Sequence, residues 1–384
     1  MKVVAAVDSF KGSLSSLAAG EAVREGILPV YPDADVRVRP LADGGEGTVE
    51  ALTLGMGGRL ISVSVTGPLG DRVEAQYGIL KDGRTAVVEM SAAAGITLVP
   101  EAKRNPMHTT TFGVGEILRD AIKKGCREFI VGIGGSATND GGIGMLQAMG
   151  YGFLDEKGRQ VPFGAEGLGR LKTITADGVI PELSECHFRV ACDVTNPLCG
   201  KSGCSAVFGP QKGATPDMIS QMDRWLASYA QISRTINPAA DEMHAGTGAA
   251  GGMGFAFLTF THAALESGVK IVLEETHLED YIRDADVVVT GEGRLDGQTV
   301  MGKAPIGVAR LAKKYGKPVI AFAGSVTRDA AACNENGIDA YFPILRSIVT
   351  LPEAMDASNA RQNMADTVRQ VFRLYRVASE KATR

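Results

Sequence analysis

Charged residues stand at the edges of glycine-rich turns along this chain: Asp8 and Lys11, Asp43, Asp140, Asp193, Lys212, then Glu292, Arg294, Asp296 and Lys303. Carboxylates beside such turns suit a metal–polyphosphate ligand. Magnesium takes one or two carboxylates and completes its shell with water and phosphate oxygens. Lysine and arginine offset charge on a phosphoryl group in transfer. One carboxylate must accept the proton of an attacking hydroxyl. Acyl transfer lacks its residues: there is no G-x-S-x-G, and His108, His187, His244, His262 and His277 all lie outside the carboxylate-bearing turns. The common nucleotide cradles are absent too. Gly200-Lys201-Ser202 has Thr195 where a P-loop needs its upstream glycine, and the protein-kinase motifs are missing.

The stretch Phe129–Gly150 organises the rest. Phe129, Ile130, Val131 and Ile133 read as a buried strand, Gly134 to Gly142 as a turn of almost no bulk, and Met145, Leu146 and Met149 as a helix. Strand, glycine turn and helix aim backbone N–H groups at an anion. Gly134, Gly135, Ser136 and Thr138 would cradle it, and Asp140 could face a metal ion. Gly132, Gly134 and Ala137 also fit G-x-G-x-x-A, with Asp155 downstream as in a dinucleotide site. Thr138–Gly142 intervenes, however, and delays the helix, which a dinucleotide fingerprint does not do.

These turns need strands to carry them. Lys2–Asp8, Asp35–Leu41, Ala285–Thr290, Lys317–Ala323 and Asp339–Leu345 read as buried strands of a parallel sheet. Turns follow at Ser9–Ser13, Ala42–Thr48 and Gly291–Asp296. In open α/β sheets ligands sit at such strand ends. Between them the texture changes. Leu60–Val65, Val73–Leu80 and Thr85–Met90 form a β-meander split by Gly67-Pro68 and Asp82-Gly83. Phe188–Cys192 is a further strand, ending in Asp193 and Asn196. Pro216–Ile232 reads as a helix. Residues 245–254, with Gly251 and Gly252, read as an N–H nest before an apolar helix, or as close helix packing. The expected fold is α/β: a doubly wound, flavodoxin-like parallel-sheet domain from 1–58 and 275–384, with a second mixed α/β domain, 59–274, inserted in it. The site is expected in the cleft between them.

The totals exclude several classes. The chain has 384 residues, 45% hydrophobic and 22% charged, as a folded α/β protein should. A net charge of -4 offers nothing to nucleic acid or an anionic membrane. No apolar run is long enough to span a bilayer or form a signal peptide, so a cytoplasmic location is expected. Six cysteines without a C-x-x-C pair read as reduced thiols rather than a zinc site. Residue types alone give an α/β enzyme for a small anionic or phosphorylated ligand.

Seven blocks, in order, add to this: DSFKGSLSS (8–16), LADGGEGT (41–48), GIGGSATNDGG (132–142), ACDVTNPL (191–198), FGPQKGAT (208–215), GAAGGMG (248–254) and TGEGRLDGQT (290–299). Together they resemble the bacterial glycerate kinase family, type I, across essentially the whole chain. The resemblance implies ATP-dependent phosphorylation of D-glycerate with Mg²⁺, at the 2-hydroxyl rather than the 3-hydroxyl, by a monomer or homodimer. Carried onto these positions, Asp193 is expected to accept the hydroxyl proton and, with Asp140, to meet the metal. Lys11 and Arg294 are expected at the phosphate or the glycerate carboxylate. Asp8, Ser9, Asp43, Gly44, Asn196, Gly251, Gly252 and Asp296 are expected around glycerate. Gly134, Gly135, Ser136, Thr138, Lys212, Glu292 and Lys303 are expected around ATP. A nicotinamide-dependent dehydrogenase of a small hydroxy acid and a non-catalytic sugar-acid sensor are the competing classes.

Overall fold

A computed structural model describes residues 1–382. They divide into two compact units. The first is Met1–Asp43, Glu50–Met56 and residues 269–382; the second is Gly44–Val49 and Gly57–Gly268.

The first unit is built on a five-stranded parallel sheet. Across it the strands run Asp35–Pro40, Lys2–Val7, Val287–Leu295, Val319–Val326 and Ala340–Pro343. Numbered within the unit this is the order 2-1-3-4-5 of a flavodoxin-like doubly wound sheet. Period-two alternation divides its faces. Val3, Ala5, Val7, Val287 and Val289 pack with Val23 and Ile27 of helix Ser16–Ile27 and with Met364, Val368 and Phe372 of helix Ala357–Ala382. Val4, Ala6 and Val288 are buried on the other face. There helix Ala304–Lys314, with Ile306, Val308 and Ala309 buried, packs on the third and fourth strands. The first helix starts cleanly because Ser15 accepts the Ala18 N–H.

The third strand departs from the expectation that it stops at Thr290. It continues to Leu295, pairing Glu292 with Ala323 and Arg294 with Ser325. What read as a turn is therefore strand. Gly291 stands there because a side chain would run into the Phe322 carbonyl.

The second unit holds a six-stranded sheet: His262–Glu266, His187–Ala191, Glu128–Gly132, Thr85–Glu89, Arg72–Ile79 and Arg59–Thr66. The first four are parallel and the last two close an antiparallel meander. Phe129 and Phe188 stack across neighbouring strands at 4.8 Å between centroids, in a core shared with Ile117 and Leu118 of helix Phe112–Lys123. The edge strand His262–Glu266 has no counterpart in the sequence reading, because its five residues are only half-buried and alternate weakly. Helix Pro216–Ser233 opens with proline after a Thr215 cap. All six cysteines are free. Among the described residues no helix is long and apolar enough to cross a membrane.

Candidate active site

In the first unit the switch point of the sheet lies between strands Lys2–Val7 and Val287–Leu295, the crevice where doubly wound folds bind ligands. The charged residues expected at separate turns meet there. Asp8, Ser9, Lys11, Asp43, Glu292, Arg294, Asp296 and Lys303 line one cavity of about 400 Å³. Their delivery is local. Asp8 directly follows the first strand, and its N–H bonds the Gly291 carbonyl at 2.8 Å. Glu292 and Arg294 are two apart on an extended strand, so they share a face. Ser16 ties the two ends of the site together. Its hydroxyl donates to the Val7 carbonyl at 2.7 Å and accepts the Leu41 N–H at 2.9 Å. Thr299 does the same on the other side, donating to Glu292 Oε1 at 2.7 Å and accepting the Asp296 N–H at 3.2 Å.

The electrostatics are crowded. Burial, then the neighbouring Asp43, raises the Asp8 carboxyl from 3.8 to about 7; the Ser9 N–H and Lys11 oppose this, and Glu292 adds to it. Burial also raises Glu292, against Thr299 and Lys303. Arg294 sits 3.4 Å from Asp296, and Lys303 lies 3.7 Å from Glu292 and 3.8 Å from Asp296. A buried group of carboxylates ringed by three cations is a place where a cation and phosphate oxygens lower the energy of the groups already present.

In the second unit the strand ends Gly132 and Ala191 carry the rest. The loop from Gly44 lies on them. A Cβ on Gly132 would run into the Gly44 carbonyl oxygen, and Gly44 itself has a positive φ of 87° beside Ala191. Glu89 holds this loop, accepting the Val49 N–H at 2.8 Å and the Gly47 N–H; burial raises its pKa. Asp193 is exposed and accepts the Gly268 N–H at 3.2 Å. Asn196 is half-buried and donates to the Ser202 carbonyl at 2.8 Å. Gly134 and Gly135 are exposed.

Four of the expected site features lie in buried, hydrogen-bonded or close-packed settings. Asp140, expected at a metal, is fully buried, and its carboxylate accepts the Thr111 N–H at 2.9 Å, the Thr111 hydroxyl at 2.8 Å and the Gly142 N–H at 3.0 Å. With Thr111, which also accepts the Met145 N–H at 2.9 Å, it caps the helix Ile143–Ala148 from inside, so that helix start offers no anion site. Thr138 is buried as well. Gly251 and Gly252 are buried against the turn, where a Cβ would strike the Thr138 carbonyl or Gly141, so close packing requires these glycines. Lys212 is 2% exposed, so it meets the turn rather than solvent: its ammonium donates to Ser136 Oγ at 2.7 Å and to the Thr138 carbonyl at 2.6 Å. Burial lowers its pKa from 10.5 to about 8. Because Ser136 accepts from Lys212, its own proton remains available to donate.

The residues that sequence reading passed over are the holders: Ser16, Glu89, Thr111 and Thr299. Ser16 and Thr299 each end a recognised block, whereas nothing in the sequence around Glu89 or Thr111 signals a partner so distant in the chain.

The glycerate kinase family model matches residues 3–376. A glycerate kinase of Haemophilus influenzae is 48% identical over 97% of this chain and 98% of its own. A glycerate 2-kinase of Escherichia coli K12 is also 48% identical, over 96% and 98%. A crystal structure from Salmonella typhimurium LT2 superposes with a TM-score of 0.92 at 49% identity, covering 99% of both chains. With cover this complete and identity this high, the chain belongs to the glycerate kinase family.

Proposed function

We propose that the enzyme transfers the γ-phosphoryl group of ATP to the 2-hydroxyl of D-glycerate, giving ADP, 2-phosphoglycerate and a proton. The observation that carries the reading is the convergence of Asp8, Lys11, Asp43, Glu292, Arg294, Asp296 and Lys303 on one cavity at a switch point, in a chain of this family. The name glycerate 2-kinase on a relative 48% identical favours the 2-hydroxyl.

The donor set fits magnesium. Asp8 and Asp43 are close enough that one raises the pKa of the other, and a divalent cation relieves that repulsion. Asp8 and Asp43 would hold it, and it would neutralise charge on the phosphate oxygens when bound. Lys11 and Arg294 offset charge on the group in transfer, with Lys303 and Glu292 at the nucleotide. Asp193, exposed at a strand end, accepts the hydroxyl proton. Ser9, Gly44, Asn196 and Asp296 orient glycerate. Gly134, Gly135 and Ser136 offer donors to an anion, with the Lys212 charge behind them. The setting is cytoplasmic, and neither nucleic acid nor a membrane takes part.

The test is ADP release from ATP and Mg²⁺ with D-glycerate, followed by ³¹P NMR of the product. A phosphate at the 3-hydroxyl overturns the regiochemistry. An NADH absorbance change with a hydroxy acid, and no ADP, overturns the kinase. Asp193→Asn is expected to cut kcat by about 10²–10⁴-fold with near-normal melting.

A further inference from the structure

The cavity of the first unit has two unlike walls. One is the ionic floor already described. The other is apolar, formed by Ile344, Leu345, Leu351, Ala354 and Met355, with the Asn363 amide beside it. This wall is built, not loose. Ile344 N–H bonds the Ala323 carbonyl at 2.8 Å. Thr350 and Glu353 form a capping box at the start of helix Leu351–Met355, and Asn359 ties that helix down through the Glu353 carbonyl at 3.1 Å. Yet it keeps apolar side chains in water: Leu351 is 74% exposed and Met355 37%. A structured segment holding apolar groups at the rim of a charged cavity marks a ligand with an apolar face.

Neither glycerate nor a triphosphate has such a face, since each heavy atom of theirs is an oxygen or phosphorus, or a carbon bonded to oxygen. A cavity of about 400 Å³ also exceeds what a three-carbon acid needs and falls in the range that holds drug-sized molecules. A purine nucleoside supplies both a flat apolar face and polar atoms to reach the ionic floor. The Asn363 amide carries one donor and one acceptor group, the pair that matches the N6–H and N7 edge of adenine.

We infer that the nucleotide's adenine base lies on the wall of Leu345, Leu351, Ala354 and Met355, with the Asn363 amide at its edge. This rests on the kinase reading for its donor but is tested without turnover. The probe is mant-ADP, titrated by fluorescence against the full chain and against Leu351→Asp/Met355→Asp and Asn363→Ala. The double variant alters exposed positions, and its melting curve should overlay the wild type. Expected are at least tenfold weaker mant-ADP binding for the double variant, unchanged KM for D-glycerate, and a smaller ATP-over-GTP preference for Asn363→Ala. Unchanged mant-ADP binding, or a raised KM for D-glycerate with nucleotide binding intact, overturns the assignment. Wild type that binds mant-ADP through this wall but releases no ADP from ATP and glycerate overturns the kinase reading and leaves the base site standing.

Discussion

Asp8 and Lys212 are both buried charges held away from their ordinary ionisation, with opposite consequences for pH. The native Asp8 keeps its proton up to about pH 7, whereas the unfolded carboxyl sheds it near 3.8. Between those values the native state binds more protons, so this residue's contribution to stability falls as pH rises, and the loss persists above pH 7. Asp8→Asn removes the penalty. It is expected to melt a few degrees above the wild type at pH 8, with the gap closing toward pH 4, while turnover falls by about 10²-fold or more. Scanning calorimetry and ADP release check the two halves; a variant that is no more stable at pH 8 would show that neither burial nor Asp43 and Glu292 penalise the Asp8 charge. Lys212 loses its proton near pH 8, and the unfolded lysine near 10.5. Its native-state penalty is therefore relieved as pH rises across that window, so stability gains while the charge behind Ser136 disappears. Affinity for the anion at the Gly134–Ser136 turn is expected to fall above pH 8. Lys212→Met should flatten the resulting rise of KM with pH; a KM still rising above pH 8 in the variant would assign the titration elsewhere.

Elements deliver these residues through a few backbone contacts that leave no room for error. Ser16, at the start of the first helix, joins the ends of two neighbouring strands. Ser16→Ala leaves the Val7 carbonyl and the Leu41 N–H without their partner, at a cost of about 1–3 kcal/mol. It should also lower kcat/KM, since Asp8 and Asp43 lie one and two residues beyond those groups; urea melts and kinetics test both. Gly132 stands where the Gly44 carbonyl leaves no space for a Cβ. Gly132→Ala is expected to cost about 1–3 kcal/mol and to displace the Gly44–Thr48 loop. Full activity in that variant would mean the loop position does not matter to turnover. The third strand of the first unit shows how a glycine pattern can mislead. Gly291 and Gly293 read as a turn, but both lie inside a strand, and Gly291 serves close backbone approach there. The period-two series Glu292, Arg294, Asp296 was the signal that the strand ran on.

At the scale of the whole molecule, the first unit is assembled from the two ends of the chain. Its central strand, Val287–Leu295, and two further strands come after the second unit in the sequence. Residues 1–56 hold only two of its five strands, so that fragment alone should show no cooperative melting by circular dichroism; a folded fragment would contradict the shared sheet. Such distant pairing also slows folding, because chain closure precedes the contacts that reward it. The sequence by itself determined the strands with strong apolar runs, the α/β class with its flavodoxin-like sheet, and the family, since seven ordered blocks are local patterns. It also placed the charges at strand ends, because a buried strand must surface somewhere and polar residues mark where. Only the tertiary structure decided which of those charges face a cavity. Asp8 and Asp140 are both aspartates beside glycine turns, yet one lines the site and the other caps a helix from within. That difference lies in whether backbone N–H groups from elsewhere, here Thr111 and Gly142, reach the carboxylate before solvent or a ligand can.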